Sequence, residues 1–307
     1  MSPKTTEAQP PLLVVGLPDA GALPAQLAAQ LGCEWSDLVL HRFPDGECVV
    51  RLDADVHGRC VVFAGSLDHP DGKTLPLLFA ADAARELGAA RIGLVAPYLA
   101  YMRQDHRFRA GEAVTSRSYA RLLSGALDFL VTVDPHLHRW HSLADIYSIP
   151  ARAVAAAPAI AQWLRREVGA PLLVGPDEES GQWVAEVARL CGAPWTVMVK
   201  QRHGDHDVSV AMEGGTSWPG RTPVLLDDIG SSGQTLVAAL QVLRESGLPS
   251  PLCVVVHALF GREAQQAMLD AGAARVVSCD TVAHPTNAIA VAPLLGPAVL
   301  AIASLTD

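Results

Sequence analysis

The chain has no surplus of positive charge: 23 Lys and Arg face 32 Asp and Glu, for a net charge of −9. Without a dominant basic patch, nucleic acid and anionic membrane surfaces are excluded as main partners. It also lacks any Cys-x-x-Cys spacing. Its six cysteines, Cys33, Cys48, Cys60, Cys191, Cys253 and Cys279, are scattered. That pattern is neither a disulfide framework nor a zinc site, and it fits reduced thiols in a cytoplasmic protein. The opening MSPKTTEAQPP contains no apolar signal core and reads as a frayed tail. A clean membrane span is missing too. Ala288–Leu305 carries no charge, but Pro293, Gly296 and Pro297 interrupt it and no Lys or Arg flanks it. It is expected to form a short buried strand, Ala288–Ala292, and a terminal helix from about Leu294.

What the chain does have is length, apolar content and rhythm. Its 307 residues, half of them apolar, suggest two domains with large cores. Strand-like runs occur at Leu12–Val15, Val61–Ala64, Ile92–Ala96, Phe129–Val133, Leu172–Val174, Thr196–Val199, Val224–Leu226, Leu252–Val256 and Arg275–Ser278. Between several of them lie helical patterns: Leu23–Leu31, Leu75–Leu87, Thr115–Leu123, Ala157–Val168, Trp183–Leu190 and Glu263–Ala271. The alternation predicts an α/β protein of mainly parallel sheets flanked by helices. Such sheets bind ligands at the carboxyl ends of their strands, where the chemically informative residues fall. A soft boundary lies at Ser148–Ala159, and the similar rhythm on either side hints at a duplication. Glu34–Asp53 differs: with Pro44-Asp45-Gly46 at its turn it reads as a hairpin or flap, not a βαβ unit.

The stretch around which the rest is organised is Pro223–Gly247, PVLLDDIGSSGQTLVAALQVLRESG. An apolar strand is followed by Asp227 and Asp228, then by the small-residue loop Gly230-Ser231-Ser232-Gly233. From Thr235 the apolar spacing becomes helical. Backbone amides and the positive end of a helix dipole converge on such a loop and suit a phosphate. The acidic pair suits vicinal hydroxyls or a metal beside it. A sugar phosphate satisfies both halves.

Four other strand ends carry polar clusters. After Ile92–Ala96, Arg103, His106, Arg107 and Arg109 with Gln104 and Asp105 make a cationic loop suited to a polyphosphate. After Phe129–Val133, His136, His138 and His141 could ligate a transition metal. One histidine among oxygen ligands of a hard cation is preferred, since no partner at zinc-like spacing exists. After Leu172–Val174, Asp177-Glu178-Glu179 precedes a helix, where carboxylates complement the dipole or hold Mg²⁺. After Thr196–Val199, Lys200 and Arg202 lead into a polar loop whose cations could close over a transferring phosphoryl group. No better nucleophile or general base is offered, which suits phosphoryl transfer.

Taken in order, these motifs resemble the ribose-phosphate diphosphokinase (phosphoribosyl pyrophosphate synthetase) family over nearly the whole chain. Arg42-Phe43-Pro44-Asp45-Gly46-Glu47 is similar to its flap, and Pro97-Tyr98 through Arg103-Gln104-Asp105 to its ATP loop. Thr132-Val133-Asp134 with His136, Gly175-Pro176-Asp177, Lys200-x-Arg202 and Asp227-Asp228 to Thr235 follow in the family's order. Val291-Ala292-Pro293-Leu294-Leu295 resembles its C-terminal strand-to-helix join.

The resemblance implies two phosphoribosyltransferase-like domains, at residues 1–152 and 153–290, with the active site between them. A terminal helix, 291–307, would pack back on the first. It implies Mg²⁺-dependent transfer of the diphosphoryl group of ATP to the 1-hydroxyl of ribose 5-phosphate, giving phosphoribosyl pyrophosphate and AMP. Arg103 and Gln104 would bind ATP, with Asp45, Gly46 and Glu47 reaching in from a neighbouring subunit of a homo-oligomer, a dimer or larger. His136 and Asp177 would hold Mg²⁺. Lys200 and Arg202 would be catalytic cations, Arg202 also near the ribose phosphate. Asp227, Asp228, Ser231, Ser232, Gly233, Gln234 and Thr235 would bind ribose 5-phosphate. Ser232, Gln234, Gln201 and the Glu178-Glu179 turn depart from the commonest family pattern; the acidic turn and the compact length look closer to its divergent, archaeal-type branch. Two other readings compete: a non-catalytic nucleotide-binding regulator of the synthetase, and a phosphoribosyltransferase.

Overall fold

The structure, a computed structural model, describes residues 10–202, 208–212 and 218–305; the side chains at 200–202 and 208–212 lie outside that description. The chain divides into two compact units, Met1–Val154 with Ala292–Asp307, and Ala155–Val291.

The first unit contains β1 (Leu12–Gly16), α1 (Leu23–Leu31), β2 (Glu34–Arg42), β3 (Cys48–Leu52), β4 (Cys60–Ala64), α2 (Pro70–Glu86), β5 (Arg91–Ala96), α3 (Thr115–Ala126), β6 (Phe129–Val133) and β7 (Ala151–Val154). Its seven-stranded sheet has the order β3-β2-β1-β4-β5-β6-β7. All neighbours are parallel except the β2–β3 hairpin. Central strands β4 and β6 are buried throughout, as expected where helices cover both faces. Phe63, Leu77, Ile92, Leu94, Leu123 and Leu130 fill one core. Each buried side chain of this size stabilises the fold by about 1.5–3 kcal/mol.

The second unit contains α4 (Ala157–Glu167), β8 (Pro171–Gly175), α5 (Gly181–Cys191), β9 (Trp195–Arg202), β10 (Val208–Met212), β11 (Thr222–Gly230), α6 (Gln234–Glu245), β12 (Leu252–Ala258), α7 (Arg262–Asp270), β13 (Arg275–Cys279) and β14 (Asn287–Ile289). Its sheet runs β10-β9-β8-β11-β12-β13-β14, again with one antiparallel pair, β9–β10, at the edge. Strand for strand the two sheets have one topology, with β8–β14 repeating β1–β7. The duplication hinted at by the rhythm of the sequence is therefore a repeat of topology. The flap hairpin β2–β3 occupies the position that β9–β10, which carries Lys200 and Arg202, holds in the second sheet.

Two local expectations are corrected, and one strand was not foreseen. Glu34–Asp53 is a hairpin, but β2 also pairs in parallel with β1 across α1, so its first strand closes a βαβ unit. The predicted strand at Ala288–Ala292 is only Asn287–Ile289. The last helix, α8, spans Ala292–Ala303, because Pro293 is compatible with a first helical turn and starts the helix early. Within the soft boundary Ser148–Ala159 lies the unforeseen β7, whose alternating small and polar residues hid an edge strand; the two units divide directly after it. No helix among the described residues is long and apolar enough to cross a membrane.

Candidate active site

In the second unit, β11 runs on past Leu226 to Gly230, because its ladder with β12 continues through Ile229↔His257 and Gly230↔Ala258. Asp227 and Asp228 therefore lie within the strand, not beyond it. Asp227 Oδ1 accepts a hydrogen bond from the Asp228 backbone N at 3.0 Å. Burial, then the neighbouring carboxylates of Asp228 and Asp177, raise the Asp227 pKa well above the ordinary carboxylate value. Asp177, at the end of β8, belongs to the same group of charges.

The loop after Gly230 turns on Gly233, whose φ of 75° lies in the left-handed region. A side chain there would be strained, so glycine is required. Gln234, one of the departures from the commonest family pattern, is the exposed first residue of α6; the left-handed residue is its neighbour. Leu236, Ala239, Leu240 and Leu243 bury one face of α6 and aim its N-terminus at the strand end. Ser231, Ser232 and Thr235 are at least partly exposed around that end. Thr235, Ala238 and Ala239 face Pro176, Asp177, Glu178, Glu179 and Met198 across a cavity of about 500 Å³. The turn holding Asp177 is fixed locally: Asp177 Oδ1 accepts from the Ser180 backbone N at 3.0 Å, and Ser180 Oγ donates to the Asp177 carbonyl at 2.7 Å. Lys200 and Arg202 occupy the last residues of β9, and their side chains lie outside the described residues.

In the first unit, the loop after β5 presents Arg103, Arg107 and Arg109 exposed and Gln104 half-buried. Glu112 pins it, accepting from the backbone N of Phe108 at 2.9 Å and of Arg109 at 3.0 Å. Asp105 is buried; it lies 2.6 Å from His106 Nδ1 and 3.7 Å from Arg139 Nε. It thereby ties the cationic loop to the segment after β6. That segment starts at Asp134 with φ 33°, and the ring of His136 packs on that of His138 with centroids 3.9 Å apart. At the flap tip, Gly46 has φ 93°, the Phe43 N donates to the Glu47 carbonyl at 2.8 Å, and Asp45 Oδ1 accepts from the Glu47 N at 3.1 Å. Asp45, Gly46 and Glu47 are all exposed.

Thus Asp177, Asp227, Asp228 and the Gly230–Thr235 loop gather at one end of the second sheet. Arg103, Gln104 and the His136 segment gather at the same end of the first. Sequence reasoning missed Glu112 and the Asp105–Arg139 link. The spacing of Glu112 behind three arginines was the available signal.

Two family models match the chain: the N-terminal domain of ribose phosphate pyrophosphokinase over residues 12–126, and the phosphoribosyl transferase domain over residues 142–293. A ribose-phosphate pyrophosphokinase from Methanopyrus kandleri is 35% identical over 290 residues, covering 94% of this chain and 98% of the relative. The chain belongs to the ribose-phosphate pyrophosphokinase family. A second such pyrophosphokinase, from Halobacterium salinarum, is 32% identical over 279 residues, covering 90% of this chain and 96% of the relative. The phosphoribosylpyrophosphate synthetase of Mycobacterium smegmatis superposes with a TM-score of 0.82 at 25% identity, covering 95% and 98% of the two chains. The fold of two mainly parallel sheets flanked by helices is therefore the one this chain shares with that synthetase.

Proposed function

We propose that this pyrophosphokinase-family chain transfers the diphosphoryl group of ATP to the 1-hydroxyl of ribose 5-phosphate, forming phosphoribosyl pyrophosphate and AMP. The observation that carries the reading is the Asp227-Asp228 pair running directly into the glycine turn at the α6 N-terminus. It supports a ligand with hydroxyls and a phosphate close together. In the proposed reaction Asp227 and Asp228 accept hydrogen bonds from the ribose hydroxyls, and Ser231, Ser232, Gly233, Gln234 and Thr235 surround the 5-phosphate. Arg103 and Gln104, with Asp45, Gly46 and Glu47 of a neighbouring subunit's flap, bind ATP. The anomeric oxygen attacks the β-phosphorus in line, the bond from that phosphorus to the α-bridging oxygen breaks, and AMP leaves. The hydroxyl proton passes to water. Little covalent help is needed, so positioning and positive charge carry the rate. Lys200 and Arg202 supply that charge where it accumulates on the transferring group.

The donor chemistry suits Mg²⁺. Among the described residues no group of three or more His, Cys, Asp and Glu is arranged as a metal cage. Mg²⁺ characteristically takes one or two protein ligands and completes its shell with water and substrate phosphates. Asp227 and Asp177 also repel each other as carboxylates, a repulsion that a cation relieves. His136 and Asp177 would each serve as a Mg²⁺ ligand, and Mg²⁺ would neutralise phosphate charge. All six cysteines are free, which supports the reducing cytoplasm as the compartment of a homo-oligomeric enzyme.

The test is direct. Purified protein is incubated with ATP, Mg²⁺ and ribose 5-phosphate, and AMP is measured. AMP that forms only when the sugar phosphate is present supports the reading. Nucleotide binding without AMP under varied metal and phosphate would favour a regulator.

A further inference from the structure

The turn that presents Arg103 and Gln104 begins at Tyr101, whose carbonyl accepts from the Gln104 backbone N at 3.4 Å. Tyr101 has a φ of 63°, a left-handed conformation that costs a residue with a side chain about 1–2 kcal/mol. Something must hold it there, and two contacts do. Its ring packs against that of Tyr119 with centroids 4.8 Å apart. Its hydroxyl donates a short hydrogen bond to Asp71, at the start of α2.

An acid in a first helical turn often does no more than complement the dipole. Asp71 differs because the turn under it is fixed from two sides. Thr74 Oγ1 donates to the Pro70 carbonyl at 2.6 Å and lies 3.0 Å from Tyr119 Oη. Arg42 Nη2 donates to the Gly72 carbonyl at 2.6 Å. The carboxylate is thus offered from a hydrogen-bonded helical turn to the residue that opens the turn carrying Arg103. The same hydrogen bond raises the Tyr101 pKa, keeping the phenol protonated as donor.

We propose that Asp71 is a positioning residue for the nucleotide: through Tyr101 Oη it holds the left-handed turn that aims Arg103 and Gln104. This rests on the reading of those two residues as nucleotide contacts. Asp71 itself touches no substrate and is not a catalytic residue.

The test compares steady-state parameters and melting temperatures of five variants in the full-length enzyme. Asp71→Ala should raise the KM for ATP about tenfold, the order expected when a contact is displaced by a fraction of an ångström. It should leave the KM for ribose 5-phosphate and kcat within about twofold. Asp71→Asn, which keeps an acceptor for the phenol, should restore most of the ATP affinity. Tyr101→Phe should match Asp71→Ala, and the double variant should be no worse than either alone, as for two ends of one interaction. A purely structural role would move both KM values and the melting temperature together, and would overturn the proposal. So would an Asp71→Ala enzyme with normal ATP KM when Arg103→Ala raises it. If Arg103→Ala leaves ATP KM unchanged, the nucleotide reading of the loop falls, and this proposal with it.

Discussion

Gly233→Ala tests whether the glycine turn proposed to surround the 5-phosphate is a backbone requirement. Gly233 caps α6 at φ 75°, and an alanine held there costs about 1–2 kcal/mol. The added Cβ would lie 3.0 Å from Met268 Cε and 3.4 Å from Ala264 Cβ. The first contact is the far end of a flexible side chain and the second is ordinary packing, so sterics add only about a few tenths of a kcal/mol. The total is about 1–2 kcal/mol. For a unit of the size of Ala155–Val291 this lowers the melting temperature by about 3–8 °C. The variant should also raise the KM for ribose 5-phosphate, since a relaxed loop turns its amides away from the phosphate. Gly233→Asn should cost less than alanine, because asparagine tolerates the left-handed region. Gly230→Ala provides a contrast. Its backbone is not left-handed, but its Cβ would lie 2.7 and 2.8 Å from two ring carbons of the buried Phe260, an overpacking of about 1–3 kcal/mol. Differential scanning calorimetry and ribose 5-phosphate saturation curves give both readouts. Wild-type melting in Gly233→Ala, or an asparagine variant less stable than the alanine one, would refute the reasoning.

Other predictions follow from the same sites. Because burial and two neighbouring carboxylates raise the Asp227 pKa, the folded chain binds more protons than the unfolded chain above the usual carboxylate value. Stability should therefore fall as pH rises from about 4 toward the raised value. Asp227→Asn should flatten that fall and raise the neutral-pH melting temperature while weakening ribose 5-phosphate binding, as followed by unfolding across pH and by titration. Lys200→Ala should lower kcat about 10²–10³-fold with ATP binding little changed, if its charge acts in the transition state; near-normal turnover would remove it from the mechanism. Asp105→Ala should cost about 0.5–1.5 kcal/mol, by removing the acceptor that His106 and the exposed Arg139 share, and should weaken ATP binding. Equal ATP affinity in that variant would show that the two loops are aligned by other contacts.

Much of the fold was legible in the chain. Buried central strands such as Cys60–Ala64 and Phe129–Val133 read directly as apolar runs, since strands covered on both faces need no alternation. Helices with one apolar face, such as α6, read from their spacing. Edge strands did not. β7 and β10 are short and mixed in composition, and only pairing with a neighbour identifies them. The site divides in the same way. Local order determined which residue types follow which strand, and hence the carboxylate pair, the glycine turn and the cationic loop. Only the tertiary structure decided that β11 runs through Asp227 and Asp228, that Asp177 shares their charge, and that Asp105 joins two loops. It alone brought Asp71 to Tyr101, thirty positions away. Backbone conformation and apolar period are set by neighbours in sequence, whereas a carboxylate's environment is set by whatever the folded chain places beside it.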